Sequence, residues 1–377
     1  MFEPRSQRSQ LRDEITSLLL RGGLIGLAAF AVALSFIVVP RLLGQIYPTA
    51  QEQTGFRGTG MLRIEFEADL AELGAVNQLP DDWMGGPIPP EPGEELAGDI
   101  YENVQVLGHL TDYNFNRLML AITEWVGQDE GCAYCHGDTG EFASDDIYSK
   151  VVARRMIQMT WAINEDWGAH VQETGVTCYT CHRGNQVPEY IWFLPEPNSR
   201  WAGSAARYQN LARPAQNMTS NYSTSLPVDA LQVYLLEDRQ PVAIHGLSAL
   251  DQEGISNASI YHTYQTYNLM MHFSSALGTN CTYCHNTRSL PVVEGLTPQW
   301  ANAQIGRQMV LDVNNEHIVP TTEFLPAHRL GPLGDAAKVN CTTCHRGVVQ
   351  PLGGQSMLPD WPELASRDPI YAVGAPE

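Results

Sequence analysis

The sequence predicts a mainly α-helical protein with much irregular structure, in which one N-terminal transmembrane helix precedes two pseudo-repeated halves. Three observations predict this fold. A run of nineteen uncharged residues lies near the N-terminus, the pattern C-x-x-C-H occurs four times in two pairs, and an apolar stripe at helical spacing precedes each copy. Together they indicate a membrane anchor and four copies of one small helical unit.

The N-terminal segment has the composition of a membrane anchor. Residues 22–40, GGLIGLAAFAVALSFIVVP, carry no charge and approach the about 20 residues that a helix needs to cross a bilayer. Four arginines precede the run: Arg5, Arg8, Arg12 and Arg21. This excess predicts a cytoplasmic N-terminus, with everything after Arg41 on the periplasmic side. A signal peptide cleaved near Ala50 is the alternative, but the apolar run is longer than a typical h-region.

The eight cysteines form four C-x-x-C pairs, and a histidine directly follows each pair. They are Cys132, Cys135, Cys178, Cys181, Cys281, Cys284, Cys341 and Cys344, followed by His136, His182, His285 and His345. Zinc sites and redox dithiols also use C-x-x-C, but neither requires the histidine every time. Covalent haem does, because two thiols one turn apart add to two porphyrin vinyl groups while the imidazole reaches the iron. The pattern predicts four c-type haems attached outside the cytoplasm, with structural zinc or disulfides as the alternative.

An internal repeat organises the chain after the anchor. NRLMLAITEWVG (116–127) aligns with YNLMMHFSSALG (267–278), and VTCYTCHRG (176–184) aligns with VNCTTCHRG (339–347). The predicted fold is therefore a multihaem cytochrome c of two dihaem halves. We divide it into a cytoplasmic tip and anchor (1–45), an extended Pro/Gly-rich segment (46–100), a haem 1 and haem 2 half (101–194), a linker (195–250), a haem 3 and haem 4 half (251–350) and an irregular tail (351–377).

A helix is predicted before each motif. Apolar residues recur at i, i+3, i+4 and i+7 over residues 115–126, and similar stripes cover 152–163, 267–277 and 301–313. Such a helix can lie along one haem face while the motif histidine approaches from the other. The repeated unit is thus a helix, a turn and a C-x-x-C-H motif.

Each haem iron needs a second axial ligand, for which methionine or histidine is the usual choice. Met119 and Met270 hold equivalent positions, eight residues before Gly127 and Gly278, which favours them for haems 1 and 3. Most helical methionines fill the core, so the repeat carries this argument.

The second and fourth helices differ from each other. Aligning MTWAIN (159–164) with MVLDVN (309–314) puts Met156 opposite Gly306, so the second helix offers Met156 or Met159 and haem 4 needs another ligand. Seven histidines lie outside the motifs: His109, His170, His245, His262, His272, His317 and His328. Any one of them is more often a core or surface imidazole than a ligand.

The paired motifs and the stretches MIQMTWAINEDWGAHV, GVTCYTCHRG and LMMHFSSALGTNCTYCHN resemble the tetrahaem cytochrome c subunit of the photosynthetic reaction centre of purple bacteria. The resemblance covers roughly residues 60–355. In that family three haems have Met/His ligation and one is bis-His. The resemblance implies Met119 with His136 for haem 1, Met156 with His182 for haem 2, Met270 with His285 for haem 3, and His170 with His345 for haem 4.

The resemblance implies an electron carrier and not an enzyme. Such a subunit stands on the L and M subunits in the inner photosynthetic membrane, with the H subunit and light-harvesting complex nearby. It rereduces the photo-oxidised bacteriochlorophyll special pair, and a soluble cytochrome c or high-potential iron–sulfur protein refills it. Haem 3 is expected nearest the special pair and haem 1 farthest from it. Many members carry a lipidated N-terminal cysteine; here residues 22–40 are expected to anchor the chain instead.

The charge balance fits a basic donor. The net charge is −20, from 42 acidic and 22 basic residues, which argues against nucleic-acid binding and favours a basic soluble partner. Acidity that only aids solubility is the alternative. Arg183 and Arg346, which follow motif histidines, and the nearby Arg288 are candidates to bind haem propionates or to remain solvated.

Two other functions compete with the reaction-centre interpretation. A membrane-anchored multihaem oxidoreductase, such as a quinol dehydrogenase, has the same outline of one span and four haems. It would need an open iron or a quinone pocket, and no C-x-x-C-K motif marks a catalytic haem here. A stand-alone periplasmic electron carrier is the third possibility.

Overall fold

The computed structural model describes residues 7–46, 48–53, 62–81, 84–127, 130–195, 226–244, 259–286, 290 and 295–371. The chain separates into two compact units, Met1–Glu52 with Ile64–Glu72, and Gln53–Arg63 with Leu73–Glu377. Helices dominate both units and two short strands form one sheet. The predicted mainly α-helical class is confirmed.

The first unit is built around helix α1, Gln7–Ile46. Its segment Glu14–Val39 is long and apolar enough to cross a membrane, and the side chains of that segment are not buried by protein. A helix that is apolar on all sides and uncovered by protein has the character of a membrane span. Strands β1 (Thr49–Gln53) and β2 (Leu62–Phe66) pair, and helix α2 (Glu67–Val76) follows.

The second unit contains the remaining helices. In chain order they are α3 (Ala97–Ile100), α4 (Asp112–Val126), α5 (Ala133–His136), α6 (Tyr148–Asp166), α7 (Gly168–Val171), α8 (Cys178–His182), α9 (Ala230–Leu235), α10 (Ile260–Leu277), α11 (Pro298–Asp312) and α12 (Cys341–His345). A π-helix (Val313–Ile318) extends α11, and Cys281–Tyr283 is a 3₁₀ turn. Helices α4, α6, α10 and α11 are the four predicted from the apolar stripes.

Two segments differ from the sequence prediction. Residues 46–100, expected to be extended, contain β1, β2, α2 and α3. The expected linker contains α9, whose residues Leu231, Val233, Tyr234 and Leu235 are all buried. In a six-residue helix with only one strongly polar side chain, Gln232, no apolar stripe can be recognised, which is why periodicity missed it. Residues 196–225 and 245–250 of the linker, with His245, lie outside the described residues, as does Arg288.

The C-terminal tail packs on the first half. Trp361 and Leu364 are buried, and two 3₁₀ turns (Pro351–Gly354, Pro362–Leu364) give the tail its shape. The Arg117 guanidinium of α4 lies 3.7 Å from the centre of the Trp361 ring and 3.4 Å from the Glu363 carboxylate. Both charged side chains are buried, so the tail is a fixed wall of the first half.

Candidate haem-binding sites

Helix α4 and the α5 turn border an apolar cavity of about 480 Å³. Met119 of α4 lines it together with Cys132, Cys135 and His136. Its volume lies within the roughly 300–1,000 Å³ typical of ligand pockets. Two thiols, one imidazole and one thioether around an apolar space fit a covalently attached haem.

Two cations, Lys150 and Arg154, also line this first cavity. Arg154 donates to both carboxylate oxygens of Asp145, each at 2.9 Å, and Lys150 donates to the Phe142 carbonyl at 2.8 Å. The hydrogen bond from Arg154 lowers the pKa of Asp145 to about 2. Sequence reasoning missed this cluster, whose two cations share the single carboxylate of Asp145 and are candidates to bind the carboxylates of a haem.

Helices α6 and α8 border a second apolar cavity of about 430 Å³. Both Met156 and Met159 line it, with Cys178, Cys181 and His182. The Thr160 hydroxyl donates to the Met156 carbonyl at 2.9 Å, as the Thr123 hydroxyl does to the Met119 carbonyl at 2.8 Å. The donor set again fits a haem, and the choice between the two methionines stays a prediction.

The second cavity has one polar corner at Arg329. Its Nε donates to the Tyr148 hydroxyl at 2.9 Å and its Nη2 to Gln186 Oε1 at 2.8 Å. These partners lie 181 and 143 residues away in the sequence. No local sequence pattern predicts a contact between residues so far apart, which is why sequence reasoning missed it.

Three motif histidines are oriented by backbone carbonyls. The Nδ1 atoms of His182, His285 and His345 lie 2.8, 3.1 and 3.1 Å from carbonyl oxygens of residues 185, 290 and 348. Because a carbonyl only accepts, Nδ1 carries the hydrogen and the Nε2 lone pair is left for a metal.

Burial favours the neutral imidazole of His182 and His345. It lowers the pKa of His182, and burial with the neighbouring His170 lowers the pKa of His345 to about 4. Neutral imidazole is the form that ligates iron. Burial also raises the pKa of Cys178 and of Cys341 to about 12, so both thiols are protonated at neutral pH.

The second and fourth motifs meet in the interior. The Sγ atoms of Cys181 and Cys344 lie 2.8 Å apart, and Arg346 donates to the Cys181 carbonyl at 3.1 Å. Arg346 also pairs with Glu189 at 3.2 Å, whereas Arg183 Nε donates to the Thr180 carbonyl at 3.1 Å. The two arginines that follow motif histidines thus have protein partners.

Matching hydrogen bonds join the second motif to the end of α4 and the fourth motif to the end of α10. The amide of Gly184 donates to the Trp125 carbonyl at 2.8 Å, and that of Gly347 to the Ala276 carbonyl at 2.9 Å. Trp125 and Ala276 stand two residues before the glycines that end α4 and α10. The same contact therefore occurs at aligned positions.

A second matching set involves two asparagines. Asn164 accepts from the Val176 amide at 2.8 Å and donates to its carbonyl at 2.9 Å. Asn314 accepts from the Val339 amide at 2.9 Å and donates to its carbonyl at 3.0 Å. Each asparagine closes the same two-bond bridge ahead of a C-x-x-C-H motif.

His170 lies beside the fourth motif. Its ring centre is 6.1 Å from that of His345, with the planes inclined by 68°. Its Nδ1 lies 3.1 Å from Oδ1 and 3.2 Å from the carbonyl oxygen of Asn302. The imidazole rests against Gly306, the residue opposite Met156 in the sequence alignment.

The third motif follows α10, which carries Met270 eight residues before its cap, Gly278. Met270 packs against the buried core. Among the other histidines, His262 Nε2 lies 2.8 Å from the Pro241 carbonyl and the His328 ring meets Tyr148 edge-on. These two have protein partners, which fits a structural role.

Comparison with known proteins decides the family. The family model described as "Photosynthetic reaction centre cytochrome C subunit" matches residues 45–365. The chain belongs to this family. The resemblance seen in the motifs is thereby confirmed.

Three curated relatives match most of the chain. A "Photosynthetic reaction center cytochrome c subunit" of Roseobacter denitrificans is 46% identical, over 93% of this chain and 93% of the relative. Proteins with the same description are 45% identical in Rubrivivax gelatinosus, over 88% and 87%, and 42% identical in Thermochromatium tepidum, over 84% and 75%.

Family membership fixes the general chemistry. A cytochrome c subunit of the reaction centre carries electrons through covalently bound haem and is not an enzyme. The apolar helix α1 fits membrane attachment of such a subunit. The predicted function and cofactor class are confirmed at this level.

Proposed function

We propose that this chain holds four c-type haems and passes electrons through them to the photo-oxidised special pair. The observation that carries the proposal is the composition of the two apolar cavities, each lined by a complete C-x-x-C-H cysteine pair, its histidine and a helical methionine. When bound, each haem supplies an iron that gains and loses one electron. The protein residues hold the iron, exclude water and set its potential.

The proposed axial pairs are those implied by the family resemblance. They are Met119 with His136, Met156 with His182, Met270 with His285, and His170 with His345. Thioether ligation raises the potential of a haem relative to a second imidazole, so the fourth site is expected to be the low-potential one. With two protein ligands holding each iron, small molecules would have no open coordination site.

Two local geometries support these pairs. An imidazole nitrogen binds a first-row metal at about 2.0–2.1 Å, so two imidazoles that would hold one ion would have ring centres within about 6 Å of each other. The 6.1 Å between the His170 and His345 rings agrees with this value. Met156 shares with Met119 the threonine hydrogen bond one turn later, which favours it over Met159.

The proposed architecture is two pseudo-repeated dihaem halves, 101–194 and 251–350, with the anchor at 1–45, the segment 46–100, the linker 195–250 and the tail 351–377. The matching glycine and asparagine hydrogen bonds support the repeat. The contact between Cys181 and Cys344 supports a close approach of haems 2 and 4.

The proposed setting is the periplasmic face of the inner membrane, with the N-terminus of α1 in the cytoplasm. The L and M subunits are the proposed membrane partners, with the H subunit and light-harvesting complex nearby. The net charge of −20 supports a basic soluble cytochrome c or high-potential iron–sulfur protein as donor.

Flash-induced absorption in native membranes tests the proposal. Haem α-band bleaching should rise with the recovery of the special pair, and chemical titration should resolve four haems. Haem absorption that ignores light but responds to a quinol would overturn the reaction-centre assignment in favour of a quinol dehydrogenase.

A further inference from the structure

Helices α6 and α11 carry different residues at the same aligned position, the one proposed to ligate a haem in α6. Residues 150 positions apart match: Met159 with Met309, and Asn164 with Asn314. The bridges made by the two asparagines fix both helices in the same relation to their following motifs. Three residues before the two matched methionines, α6 has Met156, which lines the second cavity, and α11 has Gly306.

Gly306 is in direct contact with the imidazole of His170. A Cβ at this position would lie 2.4 Å from His170 Cε1 and 2.8 Å from each ring nitrogen. These separations are far below van der Waals contact, so even a methyl group would displace the ring. The backbone of α11 at Gly306 is therefore the floor on which His170 rests.

Asn302, one turn before Gly306, holds the same ring from its edge. A carbonyl oxygen and a side-chain oxygen of this residue lie 3.2 and 3.1 Å from His170 Nδ1. With the hydrogen on Nδ1, the Nε2 lone pair is free for iron. One turn of α11 thus supplies both the space and the orientation for a side chain that α7 delivers.

We propose that Gly306 is the positioning residue that decides which side chain ligates haem 4. The inference rests on the proposed function, since it takes His170 and His345 as the axial pair. In α6 the methionine of the repeat fills its own ligand position. In α11 that position is empty, and the space admits a histidine from the other half of the chain.

The segments that follow the two helices agree with this exchange. After α11, the second cavity is lined by Ile318, Thr321 and Leu325, which have no haem-ligating group, and then by His328, whose ring packs edge-on against Tyr148. The residue 150 positions after His170 is Pro320, which has no ligating group. The segment after α6 brings His170 to the space that Gly306 leaves, whereas the histidine that the segment after α11 brings to the cavity of Met156, His328, packs against Tyr148.

The first test is Gly306→Ala in the full haem-loaded chain in its membrane. The near-infrared magnetic circular dichroism band of a bis-imidazole haem should be lost and the midpoint potential of haem 4 should shift, with haems 1 to 3 unchanged. Gly168→Ala is the matched control, because it lies two residues from His170 and its Cβ would meet nothing within 4 Å. An unaltered bis-imidazole band in Gly306→Ala would overturn the inference.

A second variant covers the case in which Gly306→Ala loses haem 4 entirely. The double variant Gly306→Met with His170→Ala should regain a six-coordinate haem 4, with a methionine-to-iron charge-transfer band and a raised potential. A five-coordinate haem 4 in this variant would refute the equivalence of the two ligand positions.

His170→Ala alone distinguishes failure of the proposed ligand pair from failure of the role of Gly306. If it leaves haem 4 unchanged, the proposed ligand pair fails. If it alters haem 4 while Gly306→Ala does not, only the role of Gly306 fails.

Discussion

Helix α6 in the first half and helix α11 in the second are held to the rest of the protein in parallel ways. Beyond its valine bridge, Asn164 donates to the Leu364 carbonyl at 2.8 Å, and Asn314 donates to the Leu235 carbonyl at 2.9 Å. Leu364 belongs to the C-terminal tail and Leu235 to α9. Two segments without sequence similarity therefore cover one half each, through the same side-chain contact.

The difference between the two helices lies at the proposed ligand position, Met156 in one and Gly306 in the other. The hydrogen bonds from the two asparagine side chains to backbone groups are kept, whereas the group that would face the iron has changed. The asparagine hydrogen bonds that hold each helix and the residue at its ligand position can therefore change independently of each other. Substitutions in each should have separate consequences.

The largest loss of folding free energy is expected when the arginines that bind the tail and the α9 segment are removed. Arg117→Ala should cost about 3–5 kcal/mol, because it leaves the buried Glu363 without its partner. Arg307→Ala should cost less, about 1–3 kcal/mol, because Asp238 is 44% exposed and can be hydrated. Urea unfolding of the haem-loaded chain, followed by circular dichroism, measures both.

A double variant without either charge is the control for the Arg117→Ala loss. Arg117→Met with Glu363→Leu should recover most of the loss, since apolar replacement of a buried pair is often neutral. Burial raises the pKa of Glu363, and removing Arg117 raises it further. The folded variant then binds a proton that the unfolded chain releases, so its stability should fall as pH rises above about 4.5. Equal losses in Arg117→Ala and Arg307→Ala would contradict the comparison.

The second effect concerns the ligand of haem 2. Met156→Ala should remove the methionine-to-iron charge-transfer band of haem 2 and lower its potential by on the order of 0.1 V, within the about 0.8 V that axial ligands span. Met159→Ala, on the same cavity wall, should leave the band in place. A redox titration with near-infrared spectra checks this, and loss of the band in Met159→Ala instead would reverse the assignment.

The third effect concerns the asparagine bridges. Asn314→Ala should cost about 2–3 kcal/mol and Asn164→Ala about 1–2 kcal/mol, because each leaves backbone groups without a partner. Asn314 is completely buried, whereas Asn164 is partly exposed and water can replace some of its bonds. Thermal unfolding of both variants tests the order, which a larger loss in Asn164→Ala would disprove.

The smallest effect is expected at the caps of α8 and α12. The amides of Thr177 and Asn340 each donate to a threonine hydroxyl at 3.0 Å, that of Thr180 or of Thr343. Thr180→Ala should cost about 0.5–1 kcal/mol. Thr343→Ala should cost about 1–2 kcal/mol, because Thr343 also contacts the Tyr190 carbonyl at 3.1 Å. Unfolding midpoints of the two variants should differ in this order, and identical values would show that the second contact contributes nothing.

The sequence was sufficient for the parts of the fold that repeat. Apolar periodicity predicts α4, α6, α10 and α11 because each buries one face against the core. It does not predict α9, which is too short to show a stripe, or the burial of the tail. Tail contacts such as Asn164 with Leu364 join residues 200 positions apart, and nothing local encodes them.

The candidate sites were predictable to a similar extent. The motif cysteines and histidines follow from spacing alone, and Met119 reaches the first cavity as the repeat suggested. Gly306 is visible in the alignment only as a missing methionine. Its contact with His170, like the polar corner at Arg329, depends on how distant segments meet.

The buried thiols of Cys178 and Cys341 have a consequence for how the molecule is made. With a pKa of about 12, only about one such thiol in 10⁵ is ionised at pH 7, and the thiolate is the reactive form. A chain that reached this fold with free cysteines would have stored them in an unreactive state. At the second and fourth motifs, attachment of the cofactor is therefore expected to precede closure of the chain around these two thiols.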